Sequence, residues 1–149
     1  TVKSIDSMKE SLELAFPPQS VTITLEDDLD ISRGDMIVKE KNTPQIGQDI
    51  TMMICWLNEK PMNLGGKYGL KHTSRNARCI IKEVNYKVNI NTLAKIYDDN
   101  EIGLNEIGQI TIRTTQPLLY DSYRKNRITG SLILYDEGTN VTVCAGMII

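Results

Sequence analysis

Short runs of alternating apolar and polar residues, broken by turn-forming residues, recur along most of the chain. From Ser20 to Glu26, Val21, Ile23 and Leu25 fall on one face, and Thr22 and Thr24 on the other. A period of two predicts a strand. Asp28 to Gly34 reads as a polar turn region, and Gly34 to Val38 as a resumed extended run. Pro44 and Gly47 bracket a connection, and 41–48 is the expected boundary between two β units. Asp49 to Leu57 places Ile50, Met52, Ile54 and Trp56 on one face, but its other face, with Met53, Cys55 and Leu57, is apolar too. Apolarity on both faces predicts a central strand covered on both sides, with Trp56 as a core anchor. Asn63 to Lys67 is a turn, followed by extended runs at Tyr68–Thr73 and Ala77–Asn89, the second long enough to bend around a barrel. Asn91 to Tyr97 suits one or two helical turns with Asn91 as N-cap. Gly108 to Thr115 alternates again, and Ser131–Tyr135 with Val141–Ile148 forms a hairpin around 137–140. Strands at this spacing, with so little helix, predict an all-β sandwich or barrel.

Composition narrows the function classes. Of 149 residues, 40% are hydrophobic and 24% charged, enough for a packed core in a soluble domain. The formal net charge of −2, from 17 basic and 19 acidic side chains, gives no electrostatic case for nucleic-acid or anionic-membrane binding. Cys55, Cys79 and Cys144 are odd in number, far apart and set in apolar runs. Reduced, buried thiols are expected, which fits a cytoplasmic protein. No run is long enough to span a bilayer, and residues 1–4 carry no apolar leader. A first residue of Thr in mid-pattern suggests a piece of a longer chain.

Candidate chemistry is sparse. A phosphate loop needs glycine amides around the phosphates, then Lys and a Ser or Thr for magnesium. The nearest approach, Gly65-Gly66-Lys67-Tyr68, has Tyr after the Lys, and Pro61 where the first loop glycine belongs. A two-glycine hairpin turn explains it better. His72 is the single histidine and reads as a strand residue at a surface or interface. It has no second His for metal ligation and no Gly-x-Ser-x-Gly elbow beside it. The acidic runs 26–30 and 98–101 lack calcium-loop spacing and read as solvated turns. Asn140-Val141-Thr142 fits a glycosylation acceptor, a triplet frequent by chance. The residues alone therefore define an all-β, barrel-containing module without catalytic, cofactor or metal residues.

Three segments extend the reading. Asp30-Ile31-Ser32-Arg33-Gly34-Asp35-Met36-Ile37-Val38 resembles the strand–turn–strand that closes the second domain of elongation-factor-Tu-like GTPases. The segment 15–25 lies directly upstream of it. The stretch from Leu104-Asn105-Glu106-Ile107-Gly108 through Asn126-Arg127-Ile128-Thr129-Gly130 to Ala145-Gly146-Met147-Ile148 is similar to the end of the third domain. Their combination resembles, over almost the whole chain, the large GTPase subunit of bacterial sulfate adenylyltransferases. The resemblance implies that residues 1–43 are the latter part of a second-domain β-barrel, and 44–149 a six-stranded third-domain barrel. It implies that GTP and magnesium belong to an N-terminal GTPase domain outside this chain, so that the region itself is non-catalytic. In the whole enzyme, GTP hydrolysis would be coupled to the conversion of ATP and sulfate into adenylyl sulfate and pyrophosphate. The expected partners are the small catalytic subunit and the chain's own GTPase domain, with no membrane and no nucleic acid. Candidate contact residues are Arg33 and Asp35 in one turn, and Arg124, Asn126 and Arg127 in another. The competing readings are a translation-factor-like β-barrel that binds RNA or protein, and a free-standing barrel for a small ligand.

Overall fold

The computed structural model describes residues 1–149. It contains nine strands and no α-helix: β1 (Val2–Asp6), β2 (Thr22–Leu25), β3 (Gln45–Trp56), β4 (Lys67–His72), β5 (Arg75–Val88), β6 (Lys95–Ile96), β7 (Ile107–Tyr120), β8 (Ser131–Tyr135) and β9 (Thr142–Ile148). The chain divides into two compact units, Thr1–Ser32 and Arg33–Ile149.

In the second unit the strands are ordered β4-β8-β9-β3-β7-β5-β6, and β4 also pairs with β5. That extra pairing closes six antiparallel strands into a barrel and leaves β6 as a flap on β5. Closure removes free ladder edges. It requires strong bending, and the register shifts between Gly47 and Asp49, Ile81 and Glu83, and Val84 and Tyr86 supply it at bulges in the long strands.

The interior is filled by one face of each strand. Ile50, Met52, Ile54 and Trp56 on β3 meet Ile110 and Ile112 on β7, Ile81 on β5, and Leu132 and Leu134 on β8, all buried. The Trp56 indole N–H donates to the Lys60 carbonyl at 2.9 Å, so its one polar atom is satisfied. Gly69 sits opposite Tyr135, and a Cβ there would come within 2.2 Å of the ring. The tyrosine thus covers a place where a side chain cannot fit.

The first unit is a two-stranded ribbon of β1 and β2, in which no residue is fully buried. β2 follows the alternation of 20–26, whereas in β1 the apolar residues Val2 and Ile5 stand three apart across a register shift, so no period of two shows.

Four expectations change. Residues 91–97 form no helix: the Asn89 side chain, not Asn91, accepts from the amides of Asn91 and Thr92, and a turn leads into β6. Gly34–Val38 joins no ladder beyond a single bridge between Arg33 and Asp35. The 63–67 turn is not a hairpin, because β3 and β4 are not neighbours. Instead the Gly65 amide donates to the Ile81 carbonyl and the Gly66 amide to the Asn63 carbonyl, so neither amide is available to a phosphate. Finally, β3 is central in the sheet, but only its inner face is covered; Met53 and Cys55 are half-buried and Leu57 is exposed.

Candidate functional site

Many of the hydrogen bonds that hold the turn between β7 and β8 come from its own polar atoms. Asn126 Oδ1 accepts from the Ile128 amide at 3.0 Å and the Thr129 amide at 3.5 Å, and its carbonyl accepts from the Gly130 amide at 2.8 Å. The Asp121 carboxylate accepts from Lys125 Nζ at 2.7 Å and from the Thr129 hydroxyl at 2.8 Å. The Lys125 ammonium, helped by Thr129, holds the Asp121 carboxyl below its ordinary value. Gly130 is required by close approach: a Cβ there would lie 2.4 Å from the Tyr123 Cα.

His72 belongs to this support. It is buried, not at a surface, and its Nε2 lies 2.8 Å from the Thr129 carbonyl. A carbonyl only accepts, so Nε2 carries the proton. The lone histidine of the chain therefore ties β4 to the turn.

Asn126, Thr129 and Gly130 are consumed in building the turn, and Arg124, Arg127 and Ile128 are left exposed on it. The Arg127 guanidinium stands 6.0 Å from the Tyr123 ring centroid. Of the other two candidate residues, Arg33 donates from Nε to the Ser74 carbonyl at 3.0 Å, and Asp35 lies 3.7 Å from Arg75. The structure brings Arg124, Asn126 and Arg127 together in one turn and places Arg33 and Asp35 against the β4–β5 connection.

Sequence reasoning missed the wall beside the turn. The outward positions of β7, β3, β9 and β8 line up in register as Ile107, Cys55, Ala145 and Ile133, and the next strand, β4, contributes Lys71. A parallel row runs Gln109, Met53, Met147 and Ser131. Tyr123 and Ile128 stand over these rows and make a groove of about 720 Å³. A second groove of about 390 Å³ lies on another part of the wall, bounded by Lys67, Arg78 and Arg113, where Arg78 pairs with Glu137 at 2.6 Å and Arg113 with Asp49 at 3.1 Å. The signal for the apolar wall was the apolar second face of β3.

No cluster of three or more His, Cys, Asp or Glu residues could hold a metal. The cysteines are unpaired, and burial raises Cys79 to about 12 and pushes Cys144 up as well, so neither is a nucleophile near neutrality. No helix is long and apolar enough to cross a membrane.

A closed six-stranded antiparallel barrel is the fold of elongation-factor-Tu-like proteins, and residues 49–149 match the family described as GTP-eEF1A C-terminal domain-like. The chain belongs to that family. It is 41% identical, across 99% of its length, to the bifunctional enzyme CysN/CysC of Mycobacterium tuberculosis. It is 42% identical, across 99%, to sulfate adenylyltransferase subunit 1 of Bacteroides fragilis. It covers 24% of the first and 31% of the second, so it spans less than a third of the length of either relative. A solved structure of sup35 complexed with GDP superposes with a TM-score of 0.83 at 18% identity, over 99% of this chain and 36% of that one. That likeness shows the fold. The expected resemblance to the sulfate adenylyltransferase large subunit holds over nearly the whole chain.

Proposed function

We propose that the chain is the C-terminal, non-catalytic region of a sulfate adenylyltransferase GTPase subunit. The observation that carries this reading is identity above 40% to such subunits along 99% of the chain. In it, residues 44–149 are the third domain and 1–43 the end of the second. GTP and magnesium bind in a part of the protein outside these residues, where GTP hydrolysis is coupled to formation of adenylyl sulfate and pyrophosphate from ATP and sulfate. The small subunit performs that transfer. The barrel contributes rigidity: a closed wall moves as one body when a nucleotide-responsive domain changes state. The 121–130 turn presents its arginines to the small subunit or to the GTPase domain. Two facts support this: the turn spends Asn126, Thr129 and Gly130 on its own geometry, and Arg124 and Arg127 pair with no carboxylate.

The test is assembly of the full-length subunit, with Arg124→Ala and Arg127→Ala together, with its catalytic partner. The expected result is a loss of about tenfold in affinity, the size of one or two interface contacts. Unchanged affinity would remove the turn from the interface.

A further inference from the structure

The outer wall of the barrel is divided by chemistry. On the β5–β7 side, three outward cations are paired, beside an exposed Ile80: Lys82 Nζ and Arg113 each lie 3.1 Å from Asp49 near the start of β3, and Arg78 lies 2.6 Å from Glu137. Such a surface is at rest in water. On the β3–β9–β8 side, the outward residues are Cys55, Ala145, Ile133 and Met147, and Met147 is 43% exposed. The inward faces of the same strands already fill the core, so barrel stability does not call for a second apolar face.

The rim of this groove is unbalanced in charge. Lys71 closes the end of the apolar row, Arg127 stands over Tyr123 at its side, and Arg124 borders the adjoining cleft beside Met147. No Asp or Glu lines either depression, and none pairs with these three cations. In a chain of net charge −2, three unpaired cations around one apolar strip are a local excess against the overall sign. Apolar surface with like charges at its edge has a definite complement, an apolar side chain followed closely by a carboxylate.

From this we infer that the β3–β9–β8 wall is a docking groove for a protein segment that carries a large aliphatic or aromatic side chain flanked by Asp or Glu. The anchor lies over Ala145 and Ile133 between Ile128 and Lys71, and the carboxylate meets Lys71 or Arg127. The apolar part commits the groove to protein over nucleic acid, because the strip carries one aromatic, Tyr123, and no row of rings on which bases could stack. The inference deepens the assembly role proposed above and names the chemistry of the partner, but its test does not use that partner.

A random-peptide display library is selected on the 149-residue chain, and enriched peptides are then measured singly by fluorescence anisotropy. Enriched peptides should carry Leu, Ile, Met or Phe within a few residues of Asp or Glu. Lys71→Glu, a change at an exposed position, should weaken them about tenfold, the order of one lost charge pair at an interface. Ile133→Asp should abolish binding, with the melting curve recorded to confirm that the barrel remains folded. Enrichment of basic or uncharged peptides, no enrichment, binding indifferent to Lys71→Glu, or displacement of the peptides by single-stranded RNA or anionic vesicles would each overturn the inference. Acidic–apolar selection together with unchanged assembly of the full-length Arg124→Ala, Arg127→Ala subunit would leave the groove standing and the turn's assembly role fallen.

Discussion

On β3 the apolar residues Ile50, Met52, Ile54 and Trp56 are each no more than 1% exposed, whereas on β2 Ile23, in an equally regular alternation, stays 40% exposed. Both strands satisfy the same periodic rule. They differ in what closes over them. β3 has a ladder on each side and the opposite wall of a barrel across from it; β2 has a single partner, β1. Alternation selects which face turns inward, and only closure supplies an inside. The difference gives an ordering of mutational effects, largest where the wall is closed.

The deepest test is Leu134→Ala. Leu134 is fully buried on β8, among residues from several strands of the barrel. Removing its branched end leaves a hole that close-packed neighbours fill only in part, at a cost of about 2–5 kcal/mol. Urea denaturation followed by Trp56 fluorescence reads it directly, since Trp56 belongs to the same core. A cost below about 1 kcal/mol would mean that the interior relaxes like the ribbon, and the contrast would vanish.

The middle of the range belongs to polar atoms that hold the wall's turn. Asp121 is 8% exposed and its carboxyl is held below 3.8, chiefly by Lys125. A depressed carboxylate stabilises the fold above its unfolded value, and the contribution fades as pH falls through the lower folded value. Asp121→Asn should therefore cost about 1 kcal/mol at neutral pH, from the loss of a charge-assisted bond to a half-exposed lysine. The two proteins should converge in stability as the pH is taken below 3.8. A difference that persists undiminished in acid would assign the effect to the Thr129 hydroxyl bond instead. The Lys87 ammonium shows the opposite sign. Burial alone would lower its value, but the carboxylates of Asp99 and Glu106, at 2.7 and 2.9 Å, outweigh burial and hold it above 10.5. Its contribution is complete below 10.5 and is lost only as the pH rises through the higher folded value.

How much of this was readable in advance depends on the range over which each pattern acts. The strands of the barrel were legible because alternation is local; their spacing implied a sandwich or a barrel, and the family resemblance implied the six-stranded barrel. The segments behind the family resemblance were legible for a related reason. Asn105 and Asn126 organise turns, Glu106 accepts from the Gly103 amide at 2.6 Å, and Gly130 admits a close backbone. These roles demand particular residue types. The wall was misread because a strand apolar on both faces has two explanations, cover by another layer or an outer face that awaits a partner, and the residues of β3 are the same in both. The helical reading of 91–97 failed for a shorter-range reason. Asn89, two positions upstream, turns the chain with its own side chain before a helix can begin. The sequence reads His72 as a residue at a surface or interface because nothing nearby announces its acceptor, the Thr129 carbonyl, 57 residues away.

The smallest effect tests the comparison from its other end. Ile23→Ala removes an aliphatic side chain from β2, as Leu134→Ala does from β8, and local strand propensity changes in the same direction. If alternation alone conferred stability, the two substitutions would cost similar amounts. If closure confers it, Ile23→Ala should cost less than about 0.5 kcal/mol, as for substitutions at exposed positions. A two-stranded ribbon is marginal on its own in water, so amide exchange along β1 and β2 should be rapid already in the unmodified chain and unchanged by the substitution. Slow exchange at Ile5 and Ile23, which are register partners, would break the comparison. The ribbon would then have to bury a face as a barrel strand does, and its exposed alternation would be the mark of a contact surface like the outer wall of β3.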